Sequence, residues 1–126
     1  MRKIALAGVL LLTCAATTAA RVAPPSYTAA QAAAGAKLYQ AKCSGCHGVH
    51  LEGVTAPALR GGPILATRTG AEVYDVMSTQ MPLGSPGSLK PAQYAALMAF
   101  LLKANGHAAG TKALTAASAR SISAPI

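Results

Sequence analysis

Large aromatic side chains are nearly missing from this chain: its 126 residues include four tyrosines, one phenylalanine and no tryptophan. The apolar fraction of 52% is inflated by thirty alanines, and between Thr28 and Gly106 there are only 21 residues of the Ile, Leu, Val, Met, Phe and Tyr class. A domain this small sits near the lower limit at which a core supports itself, so these residues alone make a lean one. Long apolar runs are also lacking. The stretch Ile4 to Leu12 is too short to span a bilayer, and no stable membrane span is expected. No internal repeat is evident, which excludes solenoids and propellers.

Acidic residues are scarcer still. Glu52, Glu72 and Asp75 face eleven Lys and Arg residues, for a formal charge of +8. A basic surface fits nucleic acid, an anionic membrane or an acidic protein. Here the cations are scattered rather than clustered and the chain carries an export signal, which argues against nucleic acid as a partner.

That signal occupies residues 1–20. Arg2 and Lys3 form a charged start, Ile4 to Leu12 the apolar run, and Thr18-Ala19-Ala20 a small-residue cleavage site before Arg21. The expected destination is the periplasm. Leu11-Leu12-Thr13-Cys14 loosely resembles a lipobox, so lipoprotein anchoring through Cys14 is a minor alternative; the motif prefers Gly, Ala or Ser where Thr13 stands. Removing Met1 to Ala20 takes away two cations and no acid, leaving a mature charge of +6.

The other two cysteines organise the rest. Cys43-Ser44-Gly45-Cys46-His47 places two thiols three residues apart with a histidine directly after the second, the attachment pattern for a c-type haem. Each thiol adds across one vinyl group on the porphyrin edge, giving two thioethers, and the histidine lies under the ring where its imidazole reaches the iron. Three other uses of the residues compete. A redox dithiol needs the strand–helix setting of a thioredoxin-like domain, and no strand pattern precedes Cys43. A structural disulfide leaves His47 idle. A zinc site using His50 falls short of four ligands, because the mature chain adds only the distant His107. One covalently attached haem c also accounts for the lean core, since a buried macrocycle supplies the missing apolar volume.

The segments around it read as short helices. Residues 21–27 form an extended lead-in. Thr28 with Gln31 is a capping-box pattern that opens a helix to about Ala41. Gly35 is costly inside that helix unless a second helix crosses there. Gly48 to Gly62 reads as an irregular loop, and the Pro57 carbonyl is the candidate acceptor for the second N–H of His47. Arg60 and Arg68 are candidates to pair with haem propionates. Thr69 with Glu72 starts another helix, with Val73, Val76 and Met77 on one face. It stops near Gln80, because Met81 precedes Pro82 and is held extended. Pro91 opens a last, strongly apolar helix that ends at Asn105-Gly106. Residues 28–106 thus form the haem domain. Residues 107–126, rich in Ala, Ser, Thr and Gly, read as a flexible tail.

With His47 on one side of the iron, the other side is open to Met77, Met81, Met98, His50 or His107. Met77 and Met98 lie on apolar helix faces where methionine usually fills core. His50 is too close to His47 in sequence to cross easily to the opposite face, and His107 lies beyond the last helix. Met81 sits in a firm turn-rich loop and is the expected ligand.

These residues resemble the class I cytochromes c, small all-helical proteins of three to four short helices around one covalently attached haem. The resemblance spans about Ala32 to Gly106 through Gly35-x-x-Leu38-Tyr39, Cys43-x-x-Cys46-His47-Gly48, Pro57-x-Leu59, Met81-Pro82 and the Tyr94-to-Leu102 helix. Leu51-x-Gly53, Ala56-Pro57-Ala58-Leu59 and Pro86-Gly87-Ser88-Leu89 look most like cytochromes associated with quinoprotein dehydrogenases, and subunits of cbb3-type oxidases carry similar domains. Lys90 stands where relatives often cap the last helix with Ser or Thr. The resemblance implies thioethers at Cys43 and Cys46, iron ligation by His47 and Met81, and a hydrogen bond from His47 to the Pro57 carbonyl. It also implies a one-electron carrier, not an enzyme, working between a periplasmic dehydrogenase as donor and an oxidase or another cytochrome as acceptor. Lys37, Lys42 and Lys90 are candidates to steer an acidic partner. Two alternatives remain: a haem enzyme or sensor with an open sixth position, and a haem subunit of a larger dehydrogenase or oxidase complex.

Overall fold

Six helical segments make up the structure, a computed structural model that describes residues 25–126: α1 (Ala29–Lys42), α2 (Ser44–His47), α3 (Pro63–Thr67), α4 (Gly70–Gln80), α5 (Pro91–Ala104) and α6 (Ala116–Ala119). The export signal expected at residues 1–20, with Cys14, and most of the lead-in lie outside the described residues. Among the described residues there is no strand, only an isolated bridge between Thr69 and Pro125. The expected all-helical architecture holds, with α1, α4 and α5 as its long members and α2, α3 and α6 as short pieces.

Local chemistry sets the helix starts. The Thr28 hydroxyl accepts from the Gln31 N–H, satisfying one orphan donor of α1. Thr69 and Glu72 make both halves of a capping box at α4. At α5 only half a box exists: Gln93 Oε1 accepts from the Lys90 N–H at 2.8 Å, and a lysine has no acceptor to return. α4 ends where expected, with Met81 extended at φ −119° and ψ 154°. The short α3 lies where no element was anticipated, opening on Pro63 at its first turn.

The core is the crossing of α1 and α5. Gly35 lies against the backbone of α5 so closely that a Cβ there would meet the Ala96 carbonyl oxygen at 1.9 Å. One turn on, the Tyr39 and Phe100 rings pack with centroids 5.1 Å apart. Leu97, Met98, Leu101 and Leu102 of α5 are buried around this crossing.

Residues 107–126 correct the sequence-based expectation of a flexible tail. Leu114, Ala119 and Ile122 are buried, and α6 packs against α5 and α4. The Gln31 side chain, expected to complete a capping box, instead reaches the tail. Its Nε2 donates to the Leu114 carbonyl at 2.7 Å and its Oε1 accepts from the Leu114 N–H at 2.8 Å. The carbonyls of Ala124 and Ile122 accept from the N–H groups of Gly70 and Ala71, both at 2.9 Å, so the tail satisfies donors that α4 leaves without intrahelical partners. Gly70 permits this approach, since a Cβ would lie 2.5 Å from Ile122 Cγ2. The Arg120 guanidinium sits 5.0 Å from the centre of the Tyr74 ring. The segment is a strap rather than a tail.

Candidate haem site

Cys43 ends α1 and begins α2. Its N–H donates to the Tyr39 carbonyl, and its own carbonyl accepts from the Cys46 and His47 N–H groups at 3.2 and 3.0 Å. That single turn brings both thiols and the imidazole to one cleft of about 310 Å³. Neither thiol is in a disulfide. Burial raises the Cys43 pKa, and the neighbouring Cys46 adds to the rise. Among the described residues, no group of three or more His, Cys, Asp and Glu is gathered as a metal site.

The loop after α2 fixes the histidine. His47 Nδ1 lies 2.8 Å from the Pro57 carbonyl oxygen. A carbonyl only accepts, so Nδ1 carries the proton, and in the neutral ring Nε2 is the nitrogen with the lone pair. The loop is held in turn by backbone bonds: the Gly53 N–H donates to the His47 carbonyl at 2.8 Å, and the N–H groups of Val54, Thr55 and Ala56 converge on the Cys46 carbonyl at 3.1 Å. Glu52 folds back beneath Gly48 and accepts from the His50 N–H at 2.7 Å. Backbone hydrogen bonds hold its carboxyl below the ordinary pKa. Gly48 has φ +86°, a backbone conformation that favours glycine; the Glu52 carboxylate that a Cβ would meet is the free end of a flexible side chain and could move aside. The Tyr39 hydroxyl donates to the Gly48 carbonyl at 2.6 Å, and its pKa is pushed up to about 12, first by burial and then by Cys43 and Glu52.

On the far wall, Val73, Val76 and Met77 of α4 line the cleft as one face, and Leu97 and Leu101 of α5 close the back. Met81 also lines it. Its N–H donates to Met77 O at 3.3 Å, while its carbonyl accepts from the Tyr94 hydroxyl at 2.7 Å and from the Gly87 N–H at 3.3 Å. Of the five residues considered for the second axial position, Met77 and Met81 line the cleft, whereas Met98, His50 and His107 do not. Of the two arginines considered for propionates, Arg68 lines it and Arg60 does not.

Two residues escaped sequence reasoning. Tyr94 appeared only as one apolar position of α5, yet its hydroxyl holds Met81. Asn105 appeared only as a helix stop. Its side chain donates to the carbonyls of Leu59 and Leu101, at 3.0 and 2.9 Å, and accepts from the Gly61 N–H at 3.1 Å. It thereby ties the Pro57 loop to the end of α5. An Asn-Gly pair after a helix signals a stop, and nothing local says which loop the amide will reach.

An apolar cleft carrying two thiols, an imidazole with a free Nε2 and a thioether suits a haem in its donor set. It is short of the four ligands a structural zinc requires. Residues 30–101 match the family described as "Cytochrome C oxidase, cbb3-type, subunit III". The chain belongs to the class I cytochrome c family. A cytochrome c domain implies a haem cofactor and haem-based electron transfer. Of the two narrower likenesses noted above, this match carries the one to cbb3-type oxidase subunits. No curated protein matches the chain. Among solved structures, the sulfane dehydrogenase SoxCD from Paracoccus pantotrophus is similar, with a TM-score of 0.57 and 31% identity over 72% of this chain. The cytochrome c spans about half (51%) of that chain. No helix among the described residues is long and apolar enough to cross a membrane.

Proposed function

We propose that this cytochrome c carries one haem, held by thioethers from Cys43 and Cys46 with His47 and Met81 as axial ligands, and serves as a periplasmic one-electron carrier. One observation carries the reading: these four side chains, three from the turn at Cys43–His47 and one from the end of α4, all line a single apolar cleft. Bound there, the haem iron supplies a ferric–ferrous couple whose potential a methionine ligand raises.

The chain's own residues do the rest. Donation to Pro57 aims the lone pair of His47 away from its loop and fixes the ring orientation. Val73, Val76 and Met77 of α4 and Leu97 and Leu101 of α5 give the cleft an apolar lining suited to a macrocycle. With His47 and Met81 both holding the iron, a bound haem would offer no easy site to dioxygen or peroxide, and the chain would then be a carrier rather than a haem enzyme or sensor. Lys42 and Arg68 on the cleft lining, with exposed Lys37 and Lys90 nearby in sequence to its walls, suit an acidic redox partner. The leader-like residues 1–20 support the periplasm, with a dehydrogenase as donor and an oxidase or another cytochrome as acceptor.

A second reading is favoured by the comparison itself. The similar chain belongs to a sulfane dehydrogenase, and the match covers about half (51%) of it, so this cytochrome c also fits the role of a haem subunit within a larger dehydrogenase or oxidase complex. The carrier chemistry is the same in both.

A pyridine haemochrome spectrum of protein matured in the periplasm tests the proposal. The expected result is a spectrum with both vinyl groups saturated, one haem per chain, and colour that stays with the polypeptide through acid–acetone extraction. Haem that extracts, or a colourless protein, contradicts it. Co-purification with a dehydrogenase or oxidase separates the subunit from the free carrier.

A further inference from the structure

We propose that Tyr94 is a positioning residue for the axial methionine, its hydroxyl holding the backbone of Met81 at the start of the loop that follows. This deepens the ligand reading above and rests on it. The Tyr94 oxygen donates to the Met81 carbonyl at 2.7 Å and takes the Leu89 N–H only at a long 3.4 Å, so its firm hold is on Met81. Leu89 packs against the core at the far end of the loop, and little holds the segment between its ends. Leu83, Gly84, Ser85, Pro86, Gly87 and Ser88 are all exposed, Leu83 at 77%. Inside the loop are two turn-type bonds, Ser85 N–H to Pro82 O and Ser88 N–H to Ser85 O, which shape it without anchoring it to the domain.

The anchor must therefore come from the two ends. At the near end, the Met81 N–H reaches the last turn of α4 at 3.3 Å and its carbonyl takes the Gly87 N–H at 3.3 Å, both long. The Tyr94 bond is the short one, and it comes from a rigid base. The Tyr94 ring is buried in the first turns of α5, where its own N–H donates to Lys90 O at 3.1 Å and Gln93 holds the Lys90 N–H. A methionine side chain is flexible and unbranched, so the position of its sulfur is set by where its backbone is held. Tyr94 transmits the position of α5 to Met81 while its ring packs in the α5 core.

The test compares two equal chemical deletions in the ferric holoprotein. Tyr94→Phe removes the hydroxyl that holds Met81. Tyr27→Phe removes a buried hydroxyl that donates to the His107 carbonyl on another part of the fold. Imidazole in solution competes for the position the sulfur occupies, and its apparent affinity rises with the fraction of protein in which the sulfur is off. Loss of one hydrogen bond in this position is expected to raise imidazole affinity about fivefold to tenfold in Tyr94→Phe. Tyr27→Phe should leave it unchanged. Equal affinity in Tyr94→Phe and the parent overturns the inference, as does an equal rise in both variants, which marks general loosening. The weak far-red band of methionine sulfur on ferric haem, recorded on the unsubstituted protein, separates the levels. Its absence there overturns the ligand reading and this inference together; its presence with unchanged imidazole affinity overturns the inference alone.

Discussion

Gly35 on α1 and Ala96 on α5 meet backbone to backbone: the Cβ that Gly35 lacks would lie 1.9 Å from the Ala96 carbonyl oxygen and 3.0 Å from Phe100 Cβ. Those atoms are a main chain and the root of a side chain, neither of which rotates away. Gly35→Ala must therefore push the two helices apart at the centre of the core. Alanine gains up to about 1 kcal/mol of helix propensity over glycine, against an overpacking cost of roughly 1–3 kcal/mol. A net loss is expected, read as a lower denaturant midpoint at unchanged slope. A midpoint at or above that of the parent would mean the helices can separate freely.

Leu114 is 3% exposed and is held on both backbone sides by Gln31. If residues 107–126 are the strap described above, Leu114→Ala costs about 2–4 kcal/mol, as other buried leucines do. A loose tail predicts a change within about 0.5 kcal/mol. Chemical denaturation of the holoprotein distinguishes the two.

That strap marks where sequence reasoning reached its limit. The helix starts at Thr28, Thr69 and Pro91 and the stop before Met81-Pro82 were readable because each depends on residues within one turn. Gly35 was readable because a glycine amid good helix formers needs a reason, and the close crossing supplies it. The Cys43, Cys46 and His47 spacing pointed to a haem for the same local reason. The strap had no such signature. Its apolar residues, Leu114, Ala119 and Ile122, follow no helical period. Its bonds run from backbone carbonyls to Gly70 and Ala71, and from a side chain on α1. Tyr94 and Asn105 were missed likewise, because a hydroxyl or amide does not announce a partner loop distant in sequence.

Asn105 offers a sharper probe of the Pro57 loop. Asn105→Asp keeps an oxygen for the Gly61 N–H but replaces the donor to the Leu59 and Leu101 carbonyls with a second acceptor. The expected cost is about 1–3 kcal/mol from carbonyls left without a partner and facing a carboxylate. Thermal unfolding of the holoprotein checks it, and stability equal to the parent contradicts the clasp.

Glu72 gives a pH-dependent prediction. Its carboxyl accepts from the Thr69 backbone N–H and hydroxyl, with Arg68 adding a smaller attraction, and its pKa lies below the ordinary 4.5. Folding thus favours the ionised form. The resulting stability is present above the ordinary value and is lost as pH falls through the lower folded value. Glu72→Gln keeps an acceptor oxygen but no charge. The variant should be less stable than the parent near neutral pH, and the gap should close on acidification below 4.5. A gap independent of pH contradicts the assignment.

The central claim is that Met81, rather than Met77 one turn earlier on the same cleft wall, completes the axial pair with His47. Far-red absorption of the ferric protein, recorded for Met81→Ala and Met77→Ala side by side, tests it most directly. Met81→Ala is expected to lose the methionine–iron band and, once reduced, to bind carbon monoxide, while Met77→Ala keeps the band. A band that survives in Met81→Ala, or disappears only in Met77→Ala, contradicts it.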